Sequence, residues 1–188
     1  GWNRVTTERR QGFEGLNWPA RPADEHLASL LRGEHASYAA MLRSFPADTR
    51  IWTWAGEHDF AWLIRRMAQE IAVHRVDAQQ ATGTATPIDS ALASDGIDEF
   101  LSYFLNTRNG AVNGSVHIHC TDVAGEWTIR EAADGFDVTR EHAKGDCAIR
   151  GNAHDILMAL WRRGSLADCD VVGDADVAAR FVAASVLD

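Results

Sequence analysis

The chain has 188 residues, 46% of them hydrophobic, which is enough for one large domain or two small ones with a real core. Acidic residues outnumber basic ones by 27 to 18, so the formal net charge is −9 and nucleic acid is excluded as an expected partner. The sequence lacks an apolar run of about 18 residues, which argues against a membrane partner, and three cysteines without a CxxC pair favour a reduced, cytoplasmic setting.

The first half of the chain carries helical periodicity. Residues 1–14 are consistent with the end of a helix, and a proline-containing loop at 15–23 follows. Apolar residues at three- and four-residue steps predict an amphipathic helix at 24–44. Two further helices are predicted at 58–81 and at about 88–106.

The second half changes from a hydrophobic period of about 3.6 to one of 2, beginning after Asn113-Gly114. Apolar and polar residues alternate from Val116 to Arg140 with turn signals between the runs, which predicts an antiparallel meander. The remaining predicted elements are a strand at 148–149, a helix at 153–163 capped by Asn152, a strand at 171–172 and a helix capped by Asp174. The sequence therefore predicts two domains, residues 1–107 and 115–188.

Glu70 and His74 have the most informative spacing. An i, i+4 pair shares one helix face, and the helical wheel assigns this pair to the apolar face of Leu63 and Met67. A divalent metal would compensate the cost of burying the carboxylate, and Asp77 is placed to orient a ligand. The alternative is a hydrogen-bonded or ionic pair at the rim of a bundle, because a zinc site usually takes three protein ligands.

Longer motifs surround this pair and extend over nearly the whole chain. They are RRMAQEIAVHRVDA at 65–78, TPID at 86–89, ASDGIDEFL at 93–101, DVAGEW at 122–127, GNA at 151–153 and WRR at 161–163. Together these motifs resemble the mycothiol-dependent maleylpyruvate isomerase family. The resemblance implies an α+β fold, in which a DinB-like four-helix bundle precedes a sterol-carrier-type α/β domain with an antiparallel sheet.

The resemblance also implies a divalent metal, with zinc favoured, held by Glu70 and His74. The third ligand of the family is a histidine from an early helix, which would lie upstream of Gly1 together with the first helix of the bundle. We therefore expect that a segment preceding Gly1 has been trimmed or left out. Within the chain, His26 and His35 on the predicted helix at 24–44 are the candidates to replace that ligand.

The function implied by the resemblance is that of an isomerase or thiol transferase with mycothiol as cofactor and a small, maleylpyruvate-like electrophile as substrate. The metal would lower the pKa of the mycothiol thiol, and the thiolate would add reversibly to a cis double bond. The family uses an arginine of its second domain in catalysis. Arg150 is the candidate here, where its guanidinium would hold a substrate carboxylate, and the alternative is a solvated arginine. The residues that bind the cofactor stay unknown.

Two other functions stay open. The sterol-carrier-type domain could hold an apolar small molecule or lipid without turnover, or a metal-bound water could drive hydrolysis without a thiol cofactor. A homodimer is a further expectation, because a bundle without its first helix exposes an apolar stripe.

Other reactive side chains have simpler interpretations. His117 and His119 alternate with apolar residues, so the sequence favours two exposed sheet histidines over a second metal site. The three cysteines, Cys120, Cys147 and Cys169, are expected to pack as small apolar residues.

Overall fold

The computed structural model describes the backbone of residues 2–105, 112–133 and 135–185. The chain divides into two compact units, Gly1–Ala68 and Gln69–Asp188. The domain break predicted from the sequence, at 107–114, falls partly on residues outside the described part, so the bounds 1–107 and 115–188 stay a prediction.

The first unit contains two helices and a hairpin before a third helix begins. Its elements are α1 (Trp2–Thr7), α2 (Asp24–Ser44), β1 (Arg50–Thr53), β2 (Gly56–Asp59) and the first residues of α3 (Phe60–Gln80). The predicted helix at 24–44 is confirmed at both ends. The sequence analysis does not predict the hairpin of β1 and β2. The Thr53 hydroxyl closes its turn by donating to the Gly56 carbonyl over 2.7 Å. Gly56 has a left-handed φ of 102°, which glycine adopts without steric cost.

The second unit contains the rest of α3, three further helices and a five-stranded sheet. Its elements are α4 (Ser90–Tyr103), β3 (Val116–Cys120), β4 (Glu126–Ala132), β5 (Gly135–Thr139), β6 (Cys147–Gly151), α5 (Ala153–Leu160), β7 (Asp170–Gly173) and α6 (Ala175–Ala183). The strand order is β5-β4-β3-β6-β7. The α+β class and the β3-β4-β5 meander are confirmed; β6 adds a parallel pair beside β3, so the sheet as a whole is mixed.

The predicted helix caps are confirmed in this unit. The Asn152 side chain accepts a hydrogen bond from the Asp155 amide over 2.8 Å, and Asp174 accepts from the amides of Asp176 and Val177. Each cap satisfies amide groups that have no partner within the helix. The caps therefore set where α5 and α6 begin.

The core of the second unit lies on one face of the sheet. Strand residues such as Ile118 and Ile149 are packed there with Phe100, Leu157 and Phe181 of the helices. Because successive strand side chains point to opposite faces, the intervening residues of β3, β4 and β6 turn to the outer face. None of the helices in the described part has the length and apolar character that a membrane span requires.

Candidate functional site

The pair that the sequence singled out forms a chain of polar contacts on the second half of α3. His74 Nε2 lies 3.1 Å from Glu70 Oε1, and His74 Nδ1 lies 2.8 Å from Asp77 Oδ2. Asp77 also accepts from Arg163, over 2.6 Å at Nε and 3.1 Å at Nη2. The hydrogen bond from Arg163 is the main reason why the pKa of Asp77 is lowered, so this carboxyl group is ionised at neutral pH.

The burial of this pair differs from the prediction. The side chains of Glu70 and His74 are 44% and 57% exposed. The buried apolar positions on this part of α3 are Ala72, Val73 and Val76. At 100° per residue, these positions lie between about 80° and 180° away from Leu63 around the helix axis, whereas Glu70 and His74 lie close to the direction of Leu63. The pair therefore lies beside the buried stripe.

The histidines considered as replacement ligands, His26 and His35, are both exposed on α2. A different group in the described part of the chain has the spacing of a metal site. Its members are His117, Glu126 and His142, whose possible ligand atoms all lie within 4.8 Å of one another.

This second group lies on the outer face of the sheet. The β3–β4 register pairs His119 with Glu126, so both side chains point to the same side, as does His117. His142 Nδ1 lies 3.1 Å from Glu126 Oε1, and His117 Nε2 lies 4.0 Å from the same oxygen. His119 Nδ1 is hydrogen bonded to that oxygen as well. Three imidazoles therefore converge on one carboxylate oxygen.

The expectation that both histidines are exposed is wrong for His117, which is buried, whereas His119 is partly exposed. His117 is only 6% exposed, and the side chain of His119 is 32% exposed. The cause is the loop at 140–146, which connects β5 to β6 and carries His142 onto the ring of His117, with 4.9 Å between the ring centroids. Alternation along β3 correctly assigned the face, but only the fold shows that a loop covers it.

Hydrogen bonds at both ends hold this loop against the sheet. The Thr128 hydroxyl donates to the Glu141 carbonyl over 3.1 Å at one end. At the other end, the Ser115 amide and hydroxyl donate to Asp146 Oδ2 over 2.8 and 2.7 Å. His142 lies between these two anchors, which gives its imidazole a defined position although it is largely exposed.

The electrostatics of the group suit a cation. Burial is the largest influence on the pKa of His117 and lowers it, which favours the neutral imidazole. The hydrogen bond with His142, supported by His119, lowers the pKa of Glu126 and favours the carboxylate. A neutral imidazole and an ionised carboxylate are the protonation states in which these side chains bind metal.

An open cleft of about 800 Å³ lies beside the group, and His119, Glu126 and His142 form part of its wall. Asp98 of α4 organises the opposite part of the lining. Its Oδ1 accepts from Trp127 Nε1 over 3.0 Å and from Arg140 Nε over 2.6 Å. The cleft therefore combines an aromatic surface with charged groups of both signs.

Arg150, the arginine predicted from the family resemblance, lies on β6 on the same outer face. The β3–β6 register pairs it with His119, and its Nη1 lies 3.5 Å from Asp170 Oδ2. The side chain is 48% exposed, so a small anion can reach the guanidinium. The sheet thus brings Arg150 next to the histidine group, which its distance along the sequence did not indicate.

Two family models match the chain. One, described as the mycothiol maleylpyruvate isomerase N-terminal domain, matches residues 2–79, and the other, described as the MDMPI C-terminal domain, matches residues 91–180. Comparisons with curated proteins and with solved structures found no match. Because the two models in order account for nearly the whole chain, this protein belongs to the mycothiol maleylpyruvate isomerase family.

Proposed function

We propose that this protein is a metal-dependent enzyme that uses mycothiol to isomerise a small unsaturated carboxylic acid of the maleylpyruvate type, or to transfer the thiol to a related electrophile. The family membership supports the use of mycothiol. The observation that carries the metal dependence is the arrangement of His74 between two carboxylates, Glu70 and Asp77.

Glu70 and His74 supply two of the three protein ligands that a zinc site usually takes. Asp77 occupies Nδ1 of His74 and is itself held by Arg163, which leaves Nε2 directed to the Glu70 carboxylate. A carboxylate behind a histidine fixes the orientation of the imidazole and raises its basicity as a ligand. Glu70 and His74 would hold a zinc-class ion in this arrangement, and the bound ion supplies positive charge that lowers the pKa of a thiol.

Arg150 is the side chain that we propose for the substrate. Its guanidinium can donate two parallel hydrogen bonds to a carboxylate, and its position on β6 directs it to the outer face of the sheet. In this role Arg150 binds and orients the anionic end of the substrate.

The test is a steady-state assay of cis–trans isomerisation with mycothiol and zinc, together with the metal content of each variant. Glu70→Gln and His74→Ala are expected to lower kcat/KM by more than about 100-fold, since loss of a ligand costs more than loss of an orienting partner. Glu25→Gln, an exposed helical glutamate beside His26, is the matched control and should leave kcat/KM unchanged.

Arg150→Lys is expected to raise KM about tenfold or more while metal content stays the same, because lysine keeps the charge and loses the paired donors. Isomerisation that is unaffected by Glu70→Gln would refute the metal assignment. Turnover that needs zinc and no thiol would favour a hydrolase, and the absence of any turnover would favour a small-molecule-binding protein.

A further inference from the structure

The outer face of the sheet carries a group of side chains that the proposed function does not use. We propose that His117, Glu126 and His142 form a second divalent-cation site of the zinc class, with His119 as a positioning residue for Glu126. This site shares no residue with the Glu70–His74 pair. It can therefore be tested whether or not the proposed enzymatic function is correct.

The distances between the ligand atoms are close to those of a zinc site. With metal–ligand bonds of about 2.0–2.1 Å, neighbouring donors around a tetrahedral ion lie about 3.3–3.4 Å apart. Glu126 Oε1 lies 3.1 Å from His142 Nδ1 and 4.0 Å from His117 Nε2. Each separation differs from the tetrahedral value by less than about 1 Å, a difference that small rotations of the Glu126 and His142 side chains can supply.

His117 provides an independent observation that points to a ligand. Its side chain is more than nine-tenths buried, and within the described part of the chain Nε2 has no hydrogen-bond partner. The distance of 4.0 Å to Glu126 Oε1 is too long for a hydrogen bond. A buried polar atom without a partner is unfavourable. A cation bound between these two side chains would use the lone pair of this nitrogen.

The donor set selects the class of cation. Two imidazoles and one carboxylate suit zinc and its transition-metal neighbours, whereas magnesium and calcium prefer oxygen ligands throughout. Three protein ligands leave a fourth coordination position. Because Glu126 and His142 line the open cleft, that position is accessible to a small ligand from solvent.

His119 acts on the site through Glu126. Its Nδ1 is hydrogen bonded to the oxygen on which the other two imidazoles converge, and the strand register fixes it opposite Glu126. A partner of this kind orients a metal ligand, and its loss typically costs about 10–100-fold in metal affinity. The proposal therefore predicts that zinc affinity falls more when His142 is replaced than when His119 is replaced.

The experiment uses the whole chain with Glu70→Ala and His74→Ala as background, so that zinc bound at the first pair does not contribute. Zinc bound after dialysis is measured by mass spectrometry, and affinity is measured by Co²⁺ titration followed in the visible spectrum. The background protein should hold about one ion per chain, as expected for a three-ligand site. Adding His142→Ala or Glu126→Gln should weaken zinc binding by more than about 100-fold, whereas adding His119→Ala should weaken it by about 10–100-fold.

Glu141→Gln is the matched control, because this carboxylate precedes His142 on the same loop and is exposed; it should leave the affinity unchanged. Thermal unfolding in a chelator shows that each variant is folded, and His142 is exposed enough for its replacement to be tolerated. The proposal is overturned if the background protein binds no zinc at micromolar concentration. It is equally overturned if His142→Ala and Glu126→Gln bind zinc as tightly as Glu141→Gln, which would leave the group as hydrogen-bonded histidines around a carboxylate.

Discussion

Gly145 controls how closely the loop at 140–146 approaches the sheet. A Cβ at this position would lie 2.8 Å from the carbonyl oxygen of Cys147, 2.9 Å from that of Ser115 and 3.1 Å from the amide nitrogen of His117. All three atoms belong to the backbone at the beginning of β3 and β6, so a rotamer change cannot relieve the contacts. In Gly145→Ala the loop has to move outward.

The expected cost follows from these contacts. Adding a methyl group to a packed site without room for it destabilises a protein by about 1–3 kcal/mol. For a chain of this size, that corresponds to a fall in Tm of roughly 2–12 °C. The same movement takes His142 away from His117, so zinc affinity at the proposed second site should fall in the same variant.

Urea unfolding and zinc titration of Gly145→Ala measure both effects. The control is Gly33→Ala on α2, where an added Cβ meets nothing within 4 Å. There alanine should stabilise the helix by about 0.5–1 kcal/mol. The reasoning fails if Gly145→Ala shows the stability and zinc affinity of the unchanged protein, because the loop would then not be held against β3 as the structure has it.

Three further predictions concern the same unit. Hydrogen bonds from Ser115, first from its hydroxyl and second from its amide, lower the pKa of Asp146. The ionised Asp146 therefore stabilises the fold above the unfolded pKa of about 3.9, and this stabilisation is lost as pH falls through the lower folded pKa. The difference in urea midpoint between the unchanged protein and Asp146→Asn should therefore shrink below pH 4, and a constant difference would contradict this. Burial raises the pKa of all three cysteines to about 11 from 9.0, so alkylation at pH 8 should be about 100-fold slower in the folded than in the unfolded protein. Leu157→Ala, at a fully buried position, should lower the free energy of unfolding by about 2–5 kcal/mol, whereas Leu31→Ala, at a position 71% exposed, should change it by less than about 0.5 kcal/mol.

Local patterns were sufficient for the helices. The predicted helix at 24–44 has the observed ends of α2, and the third helix, predicted at 58–81, is observed as Phe60–Gln80. The caps at Asn152 and Asp174 are where they were predicted. These features depend on interactions between residues one to four positions apart, which the sequence displays directly.

The candidate sites were less accessible to sequence reasoning. The spacing of Glu70 and His74 predicted that they share one helix face, and their contact is confirmed. Their predicted burial is wrong, because the buried face of α3 in the second unit is formed by Ala72, Val73 and Val76. Their role as metal ligands, and that of Arg150 in catalysis, stay predictions.

By itself, the sequence determined the helical and strand periods, the caps of α5 and α6, the α+β class and the family through its motifs. Only the tertiary structure decided that β6 pairs parallel to β3 and that the loop at 140–146 folds over the outer face of the sheet. That loop buries His117 and brings His142 to Glu126, a residue 16 positions away. No local sequence pattern indicates this contact, because it depends on strand order and on two anchors, Thr128 and Ser115, that are remote in sequence from His142.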